Sequence, residues 1–343
     1  MNCLKNKKTK KQTGVEKMEN TVVKIENLVK NYAELRALDH LNLEIKEKEI
    51  FGLLGPNGSG KTTTISCLLS LLSYDEGNIE LFGKPMTPVS YDLKARIGII
   101  PQNVAVFDVL NVYENVDNFC AMYISDKAKR KKYVDEAIEF VGLNDFTKFR
   151  PKKLSGGLLR RLNIACGIAH KPDLIILDEP TVAVDPQSRN KILEGIVELN
   201  KQGATIIYTT HYMEEVEQIC SRITIMDRGK KIAEGTTDEL KKTIKNTETI
   251  YVEMADPGQA VLQKMKRLPN VTDTVWADGK LAVSCAGGKQ NILDVMSIVR
   301  DEGLSFGRVY SELPTLNDVF LTITGKELRD KNERPEETPV RKK

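Results

Sequence analysis

From the apolar stretch Ile50-Phe51-Gly52-Leu53-Leu54 the chain passes through Gly55-Pro56-Asn57-Gly58-Ser59-Gly60-Lys61-Thr62-Thr63 into a helical stretch, Thr64 to Leu72. The middle segment fits G-x-x-x-x-G-K-[ST], and a strand before it with a helix after it is the setting in which that pattern binds phosphate. No other feature constrains the fold as much, because such a loop must end a strand and open a helix. Glycines at 55, 58 and 60 let the backbone turn its N–H groups inward, where they join the positive end of the helix around a polyphosphate. Lys61 is expected to reach the β and γ phosphates, and Thr62 to offer its hydroxyl to Mg²⁺. A glycine-rich turn capping an ordinary helix is the plainer alternative, and the two flanks speak against it.

With 343 residues, 41% hydrophobic and 29% charged, the chain is long enough for two domains, each with a core. No stretch approaches the ~18 consecutive apolar residues of a membrane span, so the chain is expected to be soluble by itself. The formal net charge of +3 is more than accounted for by residues 1–17, where Lys5, Lys7, Lys8, Lys10, Lys11 and Lys17 face only Glu16. The remaining body is near neutral. The tail reads as a solvated, disordered extension, with contact to anionic lipid or nucleic acid as the alternative. It lacks the apolar segment of a signal peptide, and Met18 is an alternative start. The six cysteines are scattered without a C-x-x-C pair and the histidines number three, which points to buried thiols in a reducing cytosol and away from zinc.

Residues 22 to 30 and Leu41-Asn42-Leu43-Glu44-Ile45 alternate apolar with polar, as half-buried antiparallel strands do. Further strands are expected at Asn78 to Phe82 and Ile97 to Ile100. Between Val112 and Val141 the apolar residues, among them Val134, Ala137, Ile138 and Val141, recur at helical spacing and predict a helical insertion. Leu174 to Leu177, Thr205 to Tyr208 and Ile223 to Met226 are apolar runs, each preceded by a helix, which indicates a parallel sheet covered on both faces. Beyond residue 245 the order strand, helix, strand, Asp278-Gly279 turn, strand, helix, strand predicts a small α+β ferredoxin-like sandwich. The organisation expected is a basic disordered tail over 1–20, a nucleotide-binding α/β body over 21–244 with its helical part about 103–165, an accessory domain over 248–325, and a charged disordered tail over 326–343.

Leu174-Ile175-Ile176-Leu177-Asp178-Glu179-Pro180 delivers two carboxylates at the C-terminal edge of a buried strand, the edge on which the phosphate loop also stands. Asp178 is placed to hold a Mg²⁺ shell, and Glu179 to orient or deprotonate an attacking water. A strand-ending acidic turn is common, so this pair gains its meaning from the loop. In Leu154-Ser155-Gly156-Gly157-Leu158, Ser155 stands where a helix would begin and two glycines leave the first amides uncovered, which forms a second anion-binding end. A serine cap with a glycine hinge is the alternative there.

With these three segments the chain resembles the nucleotide-binding subunit of ATP-binding cassette (ABC) transporters over roughly residues 22 to 240. The resemblance implies a P-loop NTPase fold of mixed sheet, antiparallel β layer and helical subdomain. It also implies ATP with Mg²⁺ as cofactors and a second ATPase subunit facing this one head to tail. ATP would lie between one subunit's Gly55-to-Thr63 loop and the other's Ser155, Gly156 and Gly157. Further residues match family positions: Tyr32, ahead of the first strands, for stacking on adenine; Gln102 for Mg²⁺ and water; Asp185 for the dimer seam; His211 for the γ-phosphate. A surface or core role is the alternative for Tyr32, and a structural role for His211. Leu158 stands where glutamine is usual, and Val182-Ala183-Val184-Asp185 where Ser-Gly-Leu-Asp is commonest. Pro314 to Phe320 looks like the short extension found on ATPases of bacterial exporters whose permease is a separate chain.

The resemblance thus implies an ATPase that dimerises on ATP and drives a separate integral-membrane permease, docked between the Gln102 loop and the helical insertion near Asn103 to Tyr113. Such a subunit is cytoplasmic, held on the inner face of the membrane through that permease, and export is favoured over import. The rival is a soluble ABC-type ATPase acting on nucleic acid or ribosomes. A single phosphate loop, no heptad array and a near-neutral body disfavour it, and no nucleic-acid partner is expected. A non-hydrolysing regulator is disfavoured because every polar catalytic position is filled, and a GTPase because no N-K-x-D occurs.

Overall fold

A computed structural model describes residues 20–33, 35–244, 248–287 and 291–324. The expected disordered tails at 1–20 and 326–343, and Cys3, fall outside the described residues apart from Asn20. The elements in chain order are β1 (Thr21–Tyr32), β2 (Leu35–Lys46), β3 (Ile50–Leu54), α1 (Lys61–Leu68), β4 (Glu76–Leu81), β5 (Lys84–Pro85), α2 (Tyr91–Lys94), β6 (Ile97–Ile100), α3 (Val112–Ala121) and α4 (Lys127–Phe140). There follow α5 (Gly156–Ile168), β7 (Leu174–Asp178), α6 (Pro186–Lys201), β8 (Thr205–Thr210), α7 (Met213–Ile219), β9 (Arg222–Asp227), β10 (Lys230–Gly235) and α8 (Thr237–Lys242). The chain then continues as β11 (Glu248–Met254), α9 (Gln259–Lys266), β12 (Val271–Ala277), β13 (Lys280–Cys285), α10 (Asn291–Asp301), β14 (Phe306–Glu312) and α11 (Leu316–Thr324).

A six-stranded sheet, ordered β10-β9-β3-β8-β7-β6, forms the centre. All neighbours in it are parallel except the β9–β10 edge. Its inner strands are largely apolar because both faces are covered, and period-two alternation sends successive side chains into different cores. Ile50, Leu54, Ile175, Leu177, Ile206 and Tyr208 enter the core shared with α3 to α7, whereas Phe51, Leu53, Leu174, Ile176 and Ile207 enter the one shared with β1, β2, β4 and α1. Full burial of each such side chain contributes roughly 1.5–3 kcal/mol. The second core is roofed by a four-stranded antiparallel sheet, order β2-β1-β4-β5. Tyr32 closes β1 rather than standing ahead of the strands, because the hairpin with β2 pairs it with Leu35.

The helical insertion forms as its spacing predicts. Asn111 and Glu114 make a reciprocal capping box at the start of α3, and Asp126 caps α4. Val116, Cys120, Val134, Ile138 and Leu162 bring these helices and α5 into one core.

In the C-terminal part the strands order as β12-β13-β11-β14, all antiparallel, with α9 and α10 supplying Val261, Met265, Val295 and Val299 to a separate core. The elements succeed one another as strand, helix, strand, strand, helix, strand, the order expected from the sequence. Asp278 and Gly279, both at positive φ (52° and 75°), form the hairpin turn. The last helix leaves this core: Leu316, Val319 and Phe320 of α11 pack with the first body, and the Leu316 N–H donates to Glu217 Oε1 of α7 at 2.7 Å.

Candidate functional site

Strands β3, β6, β7 and β8 run parallel, so the segments leaving their C-terminal ends meet at one sheet edge. These segments carry Gly55, Gln102, Glu179 and His211. Gly60 ends the glycine turn at φ +107°, and a Cβ there would lie 2.9 Å from the Ala37 carbonyl oxygen. At Gly55 a Cβ would come within 2.4 Å of the Met226 carbonyl oxygen, so neither position admits a side chain. The turn opens α1 with no acidic residue in its first turn to compete for an anion. Ser59 lies buried at the turn, and its Oγ has no hydrogen-bond partner among the described residues. Pro56, Asn57, Gly58 and Thr63 complete the segment.

Lys61 is buried and folds back over the loop, donating to the carbonyl oxygens of Gly55 at 2.7 Å and Pro56 at 3.1 Å. Its ammonium also lies 3.5 Å from Glu179 Oε1. Burial lowers the Lys61 pKa, and the adjacent Glu179 carboxylate opposes that shift. A cation resting on two backbone carbonyls beside an uncovered helix end can exchange those acceptors for phosphate oxygens. Next to it, Thr62 Oγ1 donates to Asp178 Oδ2 at 3.0 Å, which sets two hard oxygen donors side by side.

Glu179 gathers the other groups. Gln102 Nε2 donates to its Oε2 at 3.1 Å, and His211 Nδ1 lies 3.3 Å from its Oε1. Burial alone would raise its pKa, but the His211 hydrogen bond and the Lys61 charge prevail and hold it below the ordinary glutamate value. Its backbone is left-handed, φ 46°, a conformation kept by surrounding bonds: its N–H donates to Thr209 Oγ1 at 3.0 Å.

Two supports were not singled out from the sequence. Thr209 Oγ1 donates to Asp178 Oδ1 at 2.5 Å while accepting the Glu179 N–H, so one hydroxyl sets both carboxylates. Behind it, the buried Glu215 carboxylate accepts from Tyr208 OH at 2.7 Å and Thr210 Oγ1 at 2.9 Å, and Thr210 Oγ1 in turn accepts the Tyr212 N–H, which braces the turn bearing His211. Thr209 was visible only as a hydroxyl at the end of a buried strand, and Glu215 only as an acid in the first turn of a helix.

A second corner holds the remaining candidates. Ser155 caps α5, accepting the Leu158 N–H at 3.4 Å, and lies exposed beside Gly156. Gly157 is buried against the start of α6: a Cβ there would lie 2.4 Å from Ser188 Oγ and 3.2 Å from Asp185 Oδ2. Asp185 caps α6 through the Ser188 N–H at 2.9 Å, and this bond lowers its pKa. Ala183, in the same turn, holds φ 60°, a conformation that favours glycine. Among the described residues no hydrogen bond or ion pair joins Ser155, Gly156, Gly157 or Asp185 to the phosphate loop. Tyr32 stands apart too, 45% exposed as a residue and with the Lys30 ammonium 5.4 Å from its ring centroid. Its hairpin nonetheless flanks the loop through Ala37. Grooves along α4 and α6, around Phe140 and Leu199, lie away from both corners.

Comparison with known proteins points to one family. The ABC transporter family profile matches residues 38–182. The linearmycin resistance ATP-binding protein LnrL of Bacillus subtilis (strain 168) is 37% identical over 311 residues, covering 90% of this chain and 100% of that protein. The Nod factor export ATP-binding protein I of Ralstonia nicotianae is 33% identical over 311 residues, with 90% and 95% coverage. Among solved structures, cbiO1 from Clostridium perfringens, part of the ABC transporter complex cbiONQ, superposes with a TM-score of 0.61 at 29% identity, covering 73% of this chain and 96% of its own. A dimeric post-hydrolysis state of the ATP-binding cassette MJ0796, bound to ADP and Pi, gives a TM-score of 0.58 at 28% identity, covering 62% of this chain and 98% of its own.

Proposed function

The chain belongs to the ABC transporter family, and from that premise we propose that it is the subunit that binds and hydrolyses ATP, closing as a pair on two nucleotides and driving a separate membrane permease. Among the described residues no helix is long and apolar enough to cross a membrane, and a structural relative is part of an ABC transporter complex; both support a permease on another chain. The names of the relatives, linearmycin resistance and Nod factor export, favour export. They lend nothing to the nucleic-acid reading.

The observation that carries the chemistry is the shared Glu179 carboxylate, placed between Gln102, His211 and Lys61. Lys61 and the amides of Gly55 to Thr63 hold the phosphates, while Tyr32 holds the base. Thr62, Asp178 and Gln102 would hold Mg²⁺ through their side-chain oxygens, and the ion would supply positive charge against the charge of the phosphates. Glu179, kept ionised by its neighbours, accepts a proton from water as the water oxygen bonds to the γ-phosphorus. The bond from that phosphorus to the bridging oxygen breaks in line, releasing ADP and phosphate. His211 steadies the γ-phosphate. Ser155 and Gly157 of the opposite copy close over it, with Asp185 at the seam, because one chain keeps its two anion-binding ends apart. ATP bridges both copies and the products do not, so each turnover closes and reopens the pair.

The docking face for the permease is the groove between the Gln102 loop and α3, where Phe107 and Val109 stand 44% and 73% exposed. Glu179→Gln should bind ATP yet release phosphate about a hundredfold more slowly than wild type. Equal release by the two proteins would remove Glu179 from this role.

A further inference from the structure

The start of α5 faces the second corner, but its middle faces the first. Arg160 is 5% exposed, and no carboxylate lies within ion-pair distance of it among the described residues. Its fork is spent on backbone instead: Nη1 donates to the Pro101 carbonyl at 2.9 Å and Nη2 to the Gln102 carbonyl at 2.7 Å. Asn163, three residues on, donates from Nδ2 to the Pro101 carbonyl at 3.4 Å and accepts the Ala105 N–H at 3.2 Å. The segment 101–105 is thus tied to α5 at three backbone groups.

Burying a guanidinium without a carboxylate is expensive, and a well-packed apolar side chain would serve stability better. What the guanidinium supplies is geometry, since a planar fork fixes two successive carbonyls at once, and with them the direction of the Gln102 side chain toward Glu179. Arg160 comes five positions after the cap Ser155. They stand on one continuous helix, so a displacement of the cap is carried to the Gln102 loop.

We propose that Arg160 is a positioning residue that makes α5 a rigid link between the two ATP sites of the dimer, Ser155 reaching the opposite copy's nucleotide while Arg160 aims Gln102 at Glu179 of its own. The link to the opposite copy rests on the function proposed above; the hold on Gln102 does not.

The test is steady-state ATPase kinetics on the full chain for wild type, Arg160→Met, Arg160→Lys, Gln102→Ala and the double variant Arg160→Met with Gln102→Ala. Arg160→Met should lower kcat about tenfold with KM for ATP changed less than about threefold, and Arg160→Lys, which keeps donors on the loop, should recover to within about threefold of wild type. The double variant should be no slower than Gln102→Ala alone. Unchanged kcat in Arg160→Met, or losses that multiply in the double variant, would overturn the proposal. Should Arg160→Met not fold, the same cycle with Arg160→Lys decides, its smaller loss vanishing or persisting on the Gln102→Ala background. A Glu179→Gln chain that stays monomeric with ATP bound would refute the shared site instead, and that result is independent of the Arg160–Gln102 cycle.

Discussion

Glu179 combines a left-handed backbone, a buried carboxylate and three polar neighbours. Its folded pKa lies below the ordinary value of 4.5, so its ionised form stabilises the folded chain at all pH above that value. That contribution disappears as pH falls through the folded pKa. The stability difference between wild type and Glu179→Gln, measured by urea unfolding, should therefore stay constant from about pH 7 to about pH 5 and turn against wild type below about pH 4.5. A difference that moves in favour of wild type on acidification would contradict the charge assigned to Glu179. The meeting of Lys61, Thr62, Asp178, Glu179, Gln102 and His211 at one edge was legible in the sequence, because each follows an apolar run and parallel strands bring their ends together. Thr209 and Arg160 were not legible. A threonine in Thr209-Thr210-His211 and an arginine in Leu159-Arg160-Arg161 acquire their meaning only from which carboxylate or loop the fold sets opposite them.

Among the elements, those with clean periodicity were readable: β3, β7 and β8 as apolar runs, β1 and β2 as alternation, α3 and α4 as helical spacing. β10, Lys-Lys-Ile-Ala-Glu-Gly, shows neither pattern and exists because β9 offers it an edge. The glycines of α5 illustrate a related limit. The helix begins at Gly156, directly after its cap Ser155, although glycines are poor helix formers, because α6 packs on Gly157. α11 was read only as a family-like extension, although Leu316, Val319 and Phe320 already mark one helical face. Because that face fills the first body's core beside α7, the helix that follows His211, Phe320→Ala should lower the unfolding free energy by about 3–4 kcal/mol. A loss under about 1 kcal/mol in urea unfolding would mean that α11 does not hold the C-terminal part to the ATPase body.

At the scale of the molecule the fold sorts chemistry into two places that one chain does not join. The glycine loop, Asp178 and Glu179 stand where the parallel strands end. Ser155, Gly157 and Asp185 stand where α5 and α6 begin, and α5 reaches from one place to the other through Arg160. In the dimer proposed above, a second copy turned head to tail would bring each loop to the other's helix cap, and the hydrolytic cycle would then become a mechanical one. The most direct measurement is sedimentation of Glu179→Gln with and without ATP and Mg²⁺. The predicted result is a species of twice the chain's mass that forms only with ATP and holds one nucleotide per chain; a monomer with ATP fully bound would contradict the shared site.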